Sequence, residues 1–92
     1  LFDLAQQAFQ KANLVYPWGT LGHSIGLMVH EGFEIVHGSE KILETGMLIN
    51  IEPSHIEEGD ARYHIEDTVL VTDDGIEVLS SFMPTESMFV IQ

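Results

Sequence analysis

The chain has 92 residues, 45% of them hydrophobic, with fifteen acidic side chains against three basic ones (Lys11, Lys41 and Arg62), a formal net charge of −12 and no cysteine. This length suits one small domain, this charge repels a nucleic-acid backbone, and no apolar run approaches the roughly 18–20 residues of a membrane span. Without cysteine there is no disulfide framework and no thiolate chemistry, which fits a reducing, cytoplasmic compartment and leaves nitrogen and oxygen as the donors for any metal ion.

The first element, over residues 1–13, reads as a helix: Leu1, Phe2, Ala5, Ala8, Phe9 and Ala12 fall on one stripe, with Gln6, Gln7, Gln10 and Lys11 largely opposite. Asn13 is its expected stop. No initiator methionine, signal-peptide pattern or Ser/Thr-x-x-Glu cap precedes it, so residues 1–92 read as a single partial domain of something longer. "YPWGTLG" is a Pro/Gly-punctuated connection into "GHSIGLMVHE", where His23 and His30 stand seven apart among small and apolar residues. An unbroken strand would put them on opposite faces. A break or bulge at Gly26 would let both point into one pocket. Residues 31–46 are polar and glycine-interrupted, hence loop with at most a short strand; His37 is read as exposed there, as is His55 further on.

Three β-type runs follow: "MLINIEPSHIEE", then "ARYHIEDTVLVT" after Gly59-Asp60, then "IEVLSS" across an Asp74-Gly75 turn of the kind hairpins favour. The final "SMFVIQ" is an expected edge strand. Period two puts Leu48, Asn50 and Glu52 on one face of the first run, and Arg62, His64, Glu66, Thr68 and Leu70 on one face of the second. In a hairpin symmetric about Gly59, opposed residue numbers sum to 118, which pairs Asn50 with Thr68, Ser54 with His64, and Glu52 with Glu66. Two carboxylates would then face each other with Cβ atoms ~5 Å apart, destabilising unless a cation or a shared proton lies between them. A one-residue slip would turn one of them away. Carboxylate oxygens with an imidazole nitrogen are the donor set for zinc, manganese, cobalt or iron in hydrolytic sites. Alone, a histidine flanked by glycines reads as a hydrogen-bonded structural residue. Beside Glu52 and Glu66, His23 reads as the nitrogen donor, with the neighbouring glycines allowing close backbone approach.

Taken in order, "GHSIGLMVHE", "LETGMLINIEP" and "HIEDTVLVTDDGIEVLS" resemble the C-terminal portion of the pita-bread-fold metallopeptidases, over about residues 14–80. These are the prolidases (Xaa-Pro dipeptidases), aminopeptidase P and, more distantly, the methionine aminopeptidases. The resemblance implies an α+β fold, the C-terminal half of a pita-bread domain, with one N-terminal helix packed on a mainly antiparallel sheet. It implies a site for two divalent ions (manganese, cobalt, zinc or iron) built from two aspartates, one histidine and two glutamates. In that scheme His23, Glu52 and Glu66 are metal ligands, and His30 contacts substrate and steadies the tetrahedral intermediate. Metal-bound hydroxide attacks a scissile amide while Glu52 passes protons. Two positions depart from the pattern. His64, on the substrate side, stands where the family commonly has arginine, and the two aspartates have no counterpart before His23, where Asp3 stands alone on the helix.

Three readings follow. The chain is the C-terminal fragment of such a peptidase, hydrolysing a peptide or small amide when completed by its upstream half. Or it is a stand-alone, catalytically inactive half-domain, binding one metal ion or none, that forms a homo-oligomer to cover an unpaired strand edge and an apolar face. Or it is a creatinase- or lyase-like relative with other chemistry on the same scaffold.

Overall fold

In the computed structural model, which describes residues 1–59, 62–82, 84, 86–87 and 91, the first element is helix α1, Phe2–Lys11. It ends where expected. Asn13 adopts a left-handed φ of 58°, which asparagine tolerates. Asn13 N–H donates to Gln10 O (3.0 Å) and Leu14 N–H to Phe9 O (2.9 Å), the paired bonds of a Schellman motif. The buried face is narrower than the apolar stripe: Phe2 is buried, Ala5 and Phe9 are partly buried against the core, and Leu1, Ala8 and Ala12 are exposed. What covers it is a pair of rings: Phe2 and Phe9 meet Tyr16 edge-on at centroid distances of 6.0 and 5.0 Å, and Phe2 meets His37 edge-on at 6.4 Å.

The strands are β1 (Thr20–Ser24), β2 (Glu34–Val36), β3 (Leu48–Ile51), β4 (Ser54–Ile56), β5 (Arg62–His64), β6 (Asp67–Val71) and β7 (Ile76–Val78). Every pairing is antiparallel, with one sheet in the order β2-β1-β3-β6-β7 and a second made of β4 and β5. Ile49 and Val69 pair directly across β3 and β6 and are 1% and 2% exposed. With Phe2, Tyr16, Leu21, Ile35 and Val71 they form the core, each large aliphatic side chain contributing about 1.5–3 kcal/mol by its burial.

The symmetric hairpin register holds through both sheets: Leu48 pairs with Leu70, Asn50 with Thr68 and Ile51 with Asp67, then Ser54 with His64 and Ile56 with Arg62. Each long β run is nevertheless two strands. Pro53 has no N–H and cannot continue a ladder. Glu52 N–H instead donates to Leu21 O of β1 (2.9 Å), and Ile65 N–H reaches Pro53 O (3.3 Å). The interruption leaves Glu52 and Glu66 on the unpaired rung where the hairpin passes from one sheet to the other. Past β6, Thr72 N–H donates to Gly75 O (3.0 Å) and β7 returns across the predicted Asp74-Gly75 turn. The expected edge strand at 87–92 lies, apart from Ser87 and Ile91, outside the described residues. Among the described residues no helix is long and apolar enough to cross a membrane.

Candidate metal centre

His23 stands on β1, a central strand of the larger sheet, 2% exposed and paired with Asn50 of β3. Gly22 beside it permits this approach, since a Cβ there would lie 1.9 Å from Asn50 O. The His23 Nδ1 is 3.0 Å from Ser24 O. A carbonyl only accepts, so Nδ1 carries the proton and Nε2 is left with its lone pair. Nε2 lies 3.3 Å from Glu52 Oε1. Metal-ligating histidines are commonly oriented this way, the second ring nitrogen donating to a backbone carbonyl.

His30 reaches the same place because β1 ends at Ser24, two residues before the expected break at Gly26. The Ser24 hydroxyl accepts from Phe33 N–H (2.9 Å) and also bonds Glu31 O, while Ser24 N–H donates to Phe33 O (2.9 Å) and Glu31 N–H to Ser24 O (3.2 Å). These bonds pinch the loop at its base, with Gly32 at φ 92° making a turn that other residues rarely adopt. The His30 ring consequently stacks on His23, with centroids 3.7 Å apart and planes inclined by 24°. Both rings line a pocket with Glu31, Gly32, Phe33 and Glu34.

The carboxylates come from the interrupted rung. Glu52 presents Oε1 to His23 and Oε2 to His64 Nε2, at 3.5 Å. Glu66 Oε2 lies 3.8 Å from the same His64 nitrogen. Neutral side chains aim these groups. Asn50 Nδ2 donates to Glu66 Oε1 (2.6 Å), and Asn50 Oδ1 accepts from Thr68 Oγ1 (2.8 Å), so the predicted polar face is one hydrogen-bonded network. His64 Nδ1 is 2.5 Å from Ser54 Oγ, on a residue 2% exposed.

Two sets of donor atoms therefore converge, each within 4.8 Å: His23, His30 and Glu52, and Glu52, His64 and Glu66. Glu52 belongs to both. Ligands about 2.0–2.2 Å from one ion at a tetrahedral angle lie about 3.3–3.6 Å from each other, whereas a charged hydrogen bond would hold them at about 2.7–2.9 Å. The separations of Glu52 from the two imidazoles, 3.3 and 3.5 Å, match the first spacing. A mixed nitrogen and oxygen set of this kind suits a first-row divalent ion.

Tyr16 was not legible as a neighbour of this site, and Asn50 and Ser54, though placed opposite Thr68 and His64 by the register, were given no role in it. The signal for Asn50 is a polar residue inside the apolar run of β3, which must find partners once buried. Burial pushes the Tyr16 hydroxyl above the ordinary tyrosine range, with the Glu52 charge adding to the rise and Arg62 opposing it; the hydroxyl donates to Thr20 O (2.8 Å). Arg62 lies over the Trp18 ring at 4.7 Å. His37 is exposed as expected and pairs with Asp3 Oδ1 (2.7 Å), joining neither donor set. His55 departs from its exposed reading: it belongs to β4, its side chain is 22% exposed, Nε2 contacts Glu57 Oε2 (2.8 Å), and Nδ1 has no hydrogen-bond partner.

Residues 1–73 match the model of metallopeptidase family M24. An uncharacterized peptidase of Staphylococcus aureus (strain USA300) is 44% identical over 62 residues, which are 67% of this chain and 18% of that protein. Dipeptidase PepE from Mycobacterium ulcerans shares the fold with a TM-score of 0.73 and 40% identity over 80% of this chain and 20% of its own. The X-Pro aminopeptidase from Thermotoga maritima does so with a TM-score of 0.82 and 29% identity over 97% of this chain and 25% of its own. The chain spans about a fifth to a quarter of the length of these relatives, and its helix α1 and antiparallel sheet are part of their pita-bread fold. With the match running from α1 to the end of β6, the chain belongs to metallopeptidase family M24.

Proposed function

We propose that this chain supplies His23, Glu52 and Glu66 as metal ligands, and His30 as a substrate-side group, to the catalytic centre of a peptidase of the Xaa-Pro dipeptidase or aminopeptidase class. The observation that carries the reading is a buried imidazole nitrogen, oriented by a backbone carbonyl, 3.3 Å from a Glu52 oxygen on the rung that also bears Glu66. A divalent ion held by these donors supplies Lewis acidity and a nucleophilic water at neutral pH.

The remaining tasks fall to the chain's own side chains. Glu52, 22% exposed, borders both the buried His23 and the open side of the site, where its carboxylate takes a proton from water and returns it to the leaving amine. His30, exposed and stacked on His23, offers a ring N–H to a substrate carbonyl. The aspartate pair implied by the family resemblance has to come from outside these 92 residues, in line with the fraction of the relatives' length that the chain spans.

Calorimetric titration of the 92-residue chain with Mn²⁺ or Co²⁺ tests the ligand set. Glu52→Gln and Glu66→Gln are each expected to weaken uptake about tenfold or more, and unchanged uptake by both variants would refute the assignment. A second reading, self-association of the chain, draws on the exposed apolar run Leu27, Met28 and Val29 beside the site. A monomeric mass at micromolar concentration would refute that one.

A further inference from the structure

We propose that His64 is a metal ligand of this chain, forming with Glu52 and Glu66 a three-donor site for one borderline divalent ion such as zinc or cobalt. The inference rests on the reading above for Glu52 and Glu66, and adds a second imidazole at the position where the family commonly has arginine.

Spacing is the first argument. The His64 Nε2 stands 3.5 Å from Glu52 Oε2 and 3.8 Å from Glu66 Oε2. Neither is a hydrogen bond by distance. Both lie within a few tenths of an ångström of the separation that two ligands of one ion adopt. A proton or a cation has to occupy the gap between an imidazole nitrogen and two carboxylates, and the gap has the width for the cation.

Support of the ring is the second. The Nδ1 edge faces the buried Ser54 hydroxyl at 2.5 Å and the Arg62 guanidinium at 3.2 Å. Arg62, which can only donate, reaches both Ser54 Oγ (3.3 Å) and His64 Nδ1 (3.2 Å). These contacts on the far nitrogen orient the ring so that its Nε2 edge faces the carboxylates.

Charge is the third. Arginine at position 64 would bring a permanent cation with no lone pair, so it could not itself bind a metal ion. Histidine brings a lone pair instead. Adding an imidazole to two carboxylates also moves the preference from manganese toward zinc and cobalt.

The test is Co²⁺ titration of the 92-residue chain, followed by visible absorption and then by displacement with Zn²⁺, with circular dichroism confirming the fold of each variant. His64→Gln and His64→Arg are expected to lose about tenfold or more in affinity and to change the cobalt bands, and Ser54→Ala to lose about tenfold through its effect on the ring. Nitrogen-15 NMR of the unaltered chain is expected to show the His64 Nε2 resonance shifting on Zn²⁺ addition, a readout that needs no variant to fold. Equal affinity and spectrum in the His64 variants, with binding lost in Glu66→Gln, would overturn the His64 assignment and leave the glutamate reading standing. Binding untouched by Glu52→Gln and Glu66→Gln as well would remove both.

Discussion

Alanine at Gly22 is expected to prise apart the strands that carry the site. A Cβ at this position would lie 1.9 Å from Asn50 O, 3.0 Å from Asn50 C and 3.1 Å from Ile51 Cα, all backbone atoms of β3, where ordinary contact begins at 3.4 Å. No rotamer change relieves such a clash, so β1 and β3 must move apart by about 1.5 Å along the closest line, more than a ladder hydrogen bond tolerates. The Glu52 N–H to Leu21 O bond, 2.9 Å long, would be among those lost. Overpacking typically costs about 1–3 kcal/mol, and two or three broken backbone bonds add roughly 1 kcal/mol each, giving ~3–6 kcal/mol. Against a stability of roughly 5–14 kcal/mol for a chain of this length, that is at least about a fifth of the total.

Gly26→Ala is the control. Its Cβ would meet only the Glu31 carboxylate, at 2.6–2.7 Å, the end of an exposed side chain that can swing away. The loss is one exposed bond, Met28 N–H to Glu31 Oε2 (3.1 Å), less than about 1 kcal/mol. Urea denaturation followed by circular dichroism, at one protein concentration, compares the two. A Gly22→Ala variant within about 0.5 kcal/mol of the parent, or a Gly26→Ala variant that is the less stable of the pair, would refute the close-approach argument.

Two further outcomes are expected. Asn50→Leu keeps the γ-branched shape but strips Glu66 Oε1 and Thr68 Oγ1 of their partner, and should lower stability by about 1–3 kcal/mol and metal affinity about tenfold; an effect on neither in denaturation and metal titration would dismiss its positioning role. Tyr16 should ionise above the usual tyrosine value of about 10, since burial and then Glu52 favour the neutral phenol. The folded-state value being raised, its stabilising contribution is complete below the unfolded-state value and is lost as pH rises through the folded one. Difference titration against Tyr16→Phe isolates the signal, and a Tyr16 that ionises at or below 10 contradicts the burial argument.

The hairpin register was legible because alternation along both β runs is strict, and a one-residue slip would have inverted every face. The run through Pro53 was read as one strand, although a proline cannot donate to a ladder. Glu52 turns its N–H to Leu21 of β1, and that pairing joins segments thirty residues apart with no local pattern to announce it. The stacking of His30 on His23 was open as a geometric option; the bonds of the Ser24 hydroxyl to Glu31 and Phe33 decide it. The helical stripe was overestimated for a related reason: periodicity marks an apolar face, while the rings packed on it, Tyr16 and His37, set how much of it is covered.

The groups that support the two glutamates favour the proposed cation site. Glu66 is held by the Asn50 amide and, through it, by Thr68; His64 is held by Ser54; His23 by the Ser24 carbonyl. All are neutral. Neutral partners fix direction without cancelling charge, whereas a lysine in place of Asn50 would close Glu66 into a salt bridge and take that carboxylate from a metal ion. Arg62 is turned onto Trp18 and touches His64 on its Nδ1 edge, while the Nε2 edge faces the carboxylates. The result is a set of donors that is oriented but electrically unbalanced, on a chain already at −12. Such an arrangement destabilises the fold when empty and returns that free energy on binding a cation, because a ligand that binds only the folded state stabilises it.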